Sequence, residues 1–345
     1  MSGPPLGQGS FRAFSDLLTG YRASLALMVA HGSGLFERLG GHPLPATVLC
    51  RQLGWEEQYG RRMLECLCAM AILSKTGEGY RIDARVAALL DPASPFYQGA
   101  ALDFESGLLT GWLQLERTLQ AGCRIHGKDT KAPDELDRAR KCYLGAMDGA
   151  AQIRAKELWD CVEGLPQQGR LLDVGAGSGA FVGEFLQRYQ RWSAIYCDLP
   201  DIVDNHALHP GLHAYATRVS WCGCNLLSDE PSPWDQIEDH GCDLVLLSNL
   251  IHCQGAEETR RLLVKAFAKV AVHGRICIHD FFADGGSQGA LYDLHMMINT
   301  YNGRTYAIDE ILDMLAGTRS FVHALYRLPS GSSLLVVQGT TPSGP

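Results

Sequence analysis

The chain's 345 residues are 46% hydrophobic and 20% charged, enough for two domains with a sizeable core. A formal net charge of −8 speaks against a phosphate-tracking surface and hence against nucleic acid, and no run of about 18 consecutive apolar residues offers a bilayer span. The opening MSGPPLGQGSFRAF lacks the basic and apolar regions of a secretory signal, and the residues before Phe11 read as a loose tail. The twelve cysteines are scattered through apparent strands and helices, so the expectation is reduced thiols in a cytoplasmic protein with a small-molecule partner.

From Phe11 to Leu90 the pattern is helical, with Phe14, Leu17, Leu18, Tyr21, Leu25 and Met28 at spacings of three and four on one face. "HPLPATVLCRQLGW" and "GRRMLECLCAMAIL" read as two short helices, and "LSKTGEGYRI" as a hairpin with glycines at its tip. Helices followed by a small hairpin suggest a winged-helix shape. Arg61 and Arg62 are too few basic residues for DNA, which leaves dimerisation or substrate covering. Residues 96–164 continue as long helical segments.

After "EGLPQQG", the short apolar runs "RLLDVGAG", "SAIYCDLP", "CDLVLLSNL" and "RICIHDFF" alternate with helical stretches, which predicts a parallel sheet with helices on both faces. "SLLVVQGT" supplies a last, antiparallel edge strand. The expected organisation is a mainly α-helical, winged-helix-like domain over residues 11–164 and a doubly wound α/β domain over 165–341. Two C-x-C pairs, Cys66/Cys68 and Cys222/Cys224, lack the usual zinc spacing and read as small core residues.

"LLDVGAGSGAFVGEFLQRY" is a strand, a glycine-rich turn and a helix. Gly175, Gly177 and Gly179 allow a tight turn and close approach of a ligand, but the spacing misses the dinucleotide fingerprint G-x-G-x-x-G. Asp173 lies on the strand ahead of the turn, and Asp198 ends the next apolar run roughly twenty residues on, where an acid can accept hydrogen bonds from ribose hydroxyls. The pattern D-x-G-x-G-x-G resembles the first motif of Rossmann-like S-adenosylmethionine methyltransferases.

The order of motifs then resembles the small-molecule O-methyltransferases of the plant caffeate and animal acetylserotonin type. "GLFERL", "RRMLECLCAMAIL", "GYRI", "YLGAM", "LLDVGAGSG", "CDLP", "LSNLIHCQ", "GRICIHDFF" and "YDLHMMINTYNGRT" fall in that family's order. The resemblance implies a homodimer, a Rossmann-like catalytic domain and S-adenosylmethionine as cofactor. It also implies cofactor contacts at Asp173, Gly175, Gly177, Gly179, Asp198, Asn225 and Ser248, and a catalytic base at His252. Asn225 stands where the family carries an acid beside adenine, and an amide oxygen can still accept from the adenine amino group. Cys253 and Gln254 replace the Asp and Trp that follow the family histidine, and "NGRT" lacks the glutamate that orients it.

His252 by itself could be a core imidazole, a metal ligand or a base. On the later helix His295, Asn299 and Asn302 share a stripe beside a core-facing set of Leu294, Ile298 and Tyr301, which brings a second imidazole toward His252. Three readings follow: O-methylation of a small aromatic metabolite with His252 as base; metal-assisted C-methylation of an α-keto acid by His252 and His295 with Asp280 or Cys253; and a noncatalytic S-adenosylmethionine-binding regulator. Asp280 and Asp284 follow a strand at the ligand-binding edge, whereas His279 has the opposite parity and reads as structural. Met296 and Met297 could line an aromatic site or fill the core.

Overall fold

A computed structural model describes residues 8–125, 133–204, 210–228, 230–316 and 321–339; most of the expected N-terminal tail lies outside them. The chain divides into two units, residues 1–107 and 108–345. No described helix is long and apolar enough to cross a membrane.

The first unit runs α1 (Gln8–Thr19), α2 (Tyr21–Gly32), α3 (Leu35–Leu39), α4 (Ala46–Leu53), α5 (Glu57–Ala69), the hairpin β1 (Leu73–Thr76) and β2 (Gly79–Ile82), and α6 (Ala87–Leu90). Its core gathers Leu35, Leu49, Leu64, Leu67 and Tyr80, so α4, α5 and the hairpin make the winged-helix shape read from the sequence. The α1 face read from periodicity is amphipathic but not covered: Phe11, Phe14, Leu17 and Leu18 are exposed, Leu17 at 82%.

α7 (Gly99–Trp112) runs into the second unit, followed by α8 (Leu115–Ala121) and the long α9 (Pro133–Cys161). Residues 108–164, read above with the N-terminal region, therefore belong with the sheet: α9 packs on α10 (Ala180–Arg188), and the Trp159 indole N–H donates to the Phe181 carbonyl at 2.9 Å. Seven strands follow: β3 (Gly169–Val174), β4 (Trp192–Asp198), β5 (Val219–Gly223), β6 (Cys242–Ser248), β7 (Val270–Asp280), β8 (Phe321–Arg327) and β9 (Ser333–Gly339), in the order β5-β4-β3-β6-β7-β9-β8. The first five are parallel to one another, and β8 and β9 are antiparallel.

"SLLVVQGT" is thus an inner strand, not the edge. The edge is β8, which the sequence reading missed because Val322 to Arg327 are all exposed and carry no apolar alternation. Between the strands run α11 (Pro200–Val203), α12 (Ala256–Ala268), α13 (Ser287–Asn299) and α14 (Ile308–Leu315).

Strand parity splits the core into two layers. Leu172, Val174, Val245 and Leu247 pack with Leu263, Phe267 and Ile311 of α12 and α14, while Leu171, Leu244 and Leu246 pack with Trp159, Phe181 and Phe185 of α9 and α10. Phe185, fully buried against Trp159, Tyr189 and Trp192, is a site where truncation to alanine costs about 3–5 kcal/mol. The register pairs Val174 with Cys197 and Leu247, and Ser248 with His279. Gly175, Asp198, Asn249 and Asp280 therefore come to the same carboxyl edge of the sheet, where open α/β folds bind ligands.

Candidate active site

The glycine turn is tied to the neighbouring strand. Gly175 and Ala176 donate their N–H groups to the Cys197 carbonyl at 2.8 and 3.1 Å. The Asp198 carboxylate accepts from Gly177 N–H at 2.8 Å and from Leu199 N–H at 2.7 Å, and the Tyr196 hydroxyl donates to the Gly177 carbonyl. Gly177 (φ 57°) and Gly179 (φ 76°) occupy the left-handed region, but for different purposes. A Cβ on Gly179 would lie 2.7 Å from the Leu212 side chain, whereas around Gly177 the nearest atom is 3.9 Å away. Gly179 is needed for packing, and Gly177 leaves open space.

Asp173 lies beneath this turn at 1% exposure, and neither of its carboxylate oxygens has a hydrogen-bond partner. Burial, with the charge of Asp198 nearby, pushes its carboxyl up to about 8. An orphaned buried carboxylate of this kind is a cost unless a cation arrives. The amino-acid ammonium of S-adenosylmethionine is such a cation, so the cradle fits the cofactor.

Four residues past the end of β6, a short 3-10 turn (Ile251–Cys253) presents His252, which is 5% exposed. Its Nδ1 lies 2.6 Å from Asp280 Oδ1 at the end of β7, and Phe281 N–H donates to the same oxygen at 2.7 Å. Asp280 Oδ2 is buried without a partner. Burial pulls the His252 imidazole down, but the charge and hydrogen bond of Asp280, helped by the Cys253 sulfur, raise it to about 10. The other ring nitrogen, Nε2, faces the Tyr292 hydroxyl at 3.3 Å, with the two rings edge to face.

Tyr292 is flanked by Phe281 at 4.4 Å and stacked on His295 at 5.6 Å between centroids, with Trp112 beyond His295. The guanidinium of Arg154, on α9, sits 5.0 Å over the Phe281 ring and has no ion pair among the described residues. Asn249 holds a left-handed conformation (φ 50°) with its side-chain oxygen buried and unpartnered; strain and an orphaned group together are a mark of functional loops.

The structure thus brings together Asp173, Gly175, Gly177, Gly179 and Asp198 at one edge and sets His252 on the neighbouring strand end. Other expected residues are differently engaged. The Ser248 hydroxyl pairs with His279 Nδ1 at 2.8 Å, and His279 Nε2 meets Ser332 Oγ at 2.8 Å. Burial and the charge of Arg154 hold His279 down to about 3, so it is a neutral structural link. Asn225 is exposed, and its oxygen accepts Leu227 N–H at 3.0 Å in a local turn.

His295 packs against Tyr292 rather than meeting His252, and among the described residues His252, His295, Asp280 and Cys253 form no metal-ligand group. The polar stripe on α13 is also shorter than its spacing implied. The helix ends at Asn299, the Thr300 hydroxyl bridges Met296 O and Gly303 N–H, and Asn302 turns to Glu258 while Tyr301 is 88% exposed. Asp284 accepts Ile308 N–H at 2.7 Å at the start of α14, and Met296 is core.

The sequence reading missed the support that Asp280 gives His252, and with it Tyr292, Arg154 and Asn249. The available signal for Asp280 was that β6 and β7 are adjacent parallel runs whose carboxyl ends must lie side by side.

A family model described as the O-methyltransferase domain matches residues 121–321. The chain is 25% identical over 322 residues to a 3-hydroxy-5-methyl-1-naphthoate 3-O-methyltransferase of Streptomyces sahachiroi, covering 91% of this chain and 90% of that one. It is 21% identical over 338 residues to a 3-amino-4-hydroxybenzoate 4-O-methyltransferase of Streptomyces cremeus, covering 94% and 89%. The crystal structure of human N-acetylserotonin methyltransferase in complex with S-adenosylmethionine superposes with a TM-score of 0.79 at 17% identity, covering 99% of this chain and 100% of that one. The chain belongs to the O-methyltransferase domain family and is an S-adenosylmethionine-dependent methyltransferase.

Proposed function

We propose that this enzyme methylates a hydroxyl of a small aromatic metabolite, with His252 as general base and Asp280 as the residue that positions it. The observation that carries this reading is the orientation of His252: Asp280 occupies Nδ1, and the other ring nitrogen, Nε2, has a phenolic oxygen, that of Tyr292, 3.3 Å away. A phenol has an unperturbed pKa of about 10, close to that of the paired imidazole, so proton transfer between them is nearly balanced. Phenol with neutral imidazole and phenolate with imidazolium carry the same number of protons. The dyad can therefore accept the acceptor in either form.

When bound, S-adenosylmethionine supplies an electrophilic methyl on a sulfonium. Asp173 would take its ammonium, and Asp198, at the end of the next strand, would take the ribose. Arg154, which has no ion pair among the described residues, would offer a charge to the cofactor's amino-acid carboxylate. Phe281 and Tyr292 supply an aromatic wall. The naphthoate and aminohydroxybenzoate named for the two relatives are aromatic and support this acceptor class. The regulator reading rested on absent support for the base, and Asp280 supplies that support.

The uncovered apolar face of α1, with Phe11, Phe14, Leu17 and Leu18 exposed, suits a second copy of the chain and favours a homodimer. A reducing cytoplasm suits the twelve thiols. The test is incubation of the enzyme and methyl-labelled cofactor with a host metabolite extract. The reading expects label in an aromatic methyl ether, and label on carbon or nitrogen alone contradicts it.

A further inference from the structure

Beside the cofactor edge, three sulfurs converge. Cys197 immediately precedes Asp198 on β4, Cys222 is its registered neighbour on β5, and Cys224 lies one residue past that strand. Cys222 and Cys224 are two residues apart and so share a face, which is also the face of Cys197. The Cys197 and Cys224 sulfurs are 3.4 Å apart, those of Cys222 and Cys224 3.8 Å, and all three lie within 4.8 Å of one another. The residues are buried at 2, 3 and 4% exposure in the core layer that includes Val174, Ile195, Leu226 and Trp234.

Three sulfurs held about 2.3 Å from one centre stand about 3.4–4.0 Å apart, from a pyramidal to a planar arrangement, and the separations of 3.4 and 3.8 Å fall in that range. Among the described residues no fourth His, Cys, Asp or Glu joins it, whereas a structural zinc site is closed by four. Charge then selects among soft three-coordinate ions. Three thiolates around a monovalent ion leave two net negative charges in apolar surroundings, and around a divalent ion one; a trivalent centre leaves none.

We propose that Cys197, Cys222 and Cys224 form a binding site for a trivalent thiophilic metalloid, with arsenic(III) as the probe species. Arsenous acid condenses with three thiols: three As–O bonds break, three As–S bonds form, and each thiol proton leaves with a hydroxide as water. Nothing is oxidised or reduced. β5 is an edge strand, so opening of its pairing with β4 gives entry without disrupting the rest of the sheet.

Native mass spectrometry of the reduced full chain with arsenite tests this. The expected species carries one arsenic and has lost three hydrogens, and alkylation mapping shows Cys197, Cys222 and Cys224 protected together. Cys224→Ser abolishes that species and Cys66→Ser, at an exposed position outside the triad, leaves it; Cys222→Ala on the edge strand replaces the first variant if that one does not fold. No adduct, an adduct that retains a hydroxyl and has used only two thiols, or an undiminished adduct in the folded triad variant overturns the proposal.

Discussion

Asp280 Oδ1 lies 2.6 Å from Nδ1 of His252, and both side chains are buried at the ends of neighbouring parallel strands. That contact fixes the tautomer and the direction of the ring, and it outweighs the burial that would otherwise keep the imidazole neutral. Replacement of Asp280 by Asn keeps the shape and removes the charge. Steady-state kinetics on Asp280→Asn are expected to show kcat reduced by about 10²–10⁴-fold with cofactor affinity little changed. A loss seen in cofactor affinity alone would place Asp280 elsewhere in the mechanism.

The same pair sets a pH profile. With His252 raised to about 10, the free enzyme carries the proton at neutral pH, so kcat/KM for a neutral phenolic acceptor rises with pH toward 10. In Asp280→Asn burial dominates, and the rise moves below the ordinary histidine value near 6.5. Stability has the opposite slope: a raised folded-state value contributes fully below about 6.5 and is lost as pH climbs toward 10. Chemical denaturation of the wild type across that window should show falling stability, and Asp280→Asn should flatten it.

Asp173 gives cofactor binding its own pH dependence. Its carboxyl is raised to about 8, so below that pH binding of an ammonium must release the proton, and affinity falls by at most about tenfold per pH unit. The ligand's own amino group loses its charge at higher pH, so affinity falls again on the alkaline side. Calorimetric titration with S-adenosylhomocysteine is expected to show a maximum near pH 8 in the wild type and no acid limb in Asp173→Asn. An affinity constant from pH 6 to 8 in the wild type would remove the ammonium from Asp173.

Two glycines of one turn separate binding from folding. Gly179→Ala forces a Cβ against Leu212 in a left-handed conformation and should lower the melting temperature, because the conformational strain alone is about 1–2 kcal/mol. Gly177→Ala has similar strain but open space, so its distinguishing effect is lost cofactor affinity. Thermal unfolding with and without S-adenosylhomocysteine tells the two apart.

The α1 face predicts association. Leu17→Glu, at an 82% exposed apolar position, is expected to convert a dimer of 37.7 kDa chains into a monomer in sedimentation velocity, with the fold retained. A wild type that sediments as a monomer would contradict the homodimer.

The parallel sheet, the glycine turn, Asp173 and Asp198 were legible in the sequence because strand period, glycine spacing and strand-end acids are local signals, whereas His252 was singled out by the family resemblance and not by its spacing. What could not be read was across the sheet. Asp280 supports His252 from 28 residues away, through register rather than spacing. Cys197 joins a C-x-C pair that alone looked like core packing. Exposed β8 lacked alternation, and α13 stopped where Thr300 capped it, so Asn302 left the stripe that its spacing drew.

Single-turnover methyl transfer from labelled S-adenosylmethionine to a phenolic acceptor, compared between wild type and His252→Ala, addresses the base most directly. The dyad predicts a rate lower by about 10²–10⁴-fold in the variant with S-adenosylhomocysteine affinity retained. Equal single-turnover rates in the two proteins would contradict it.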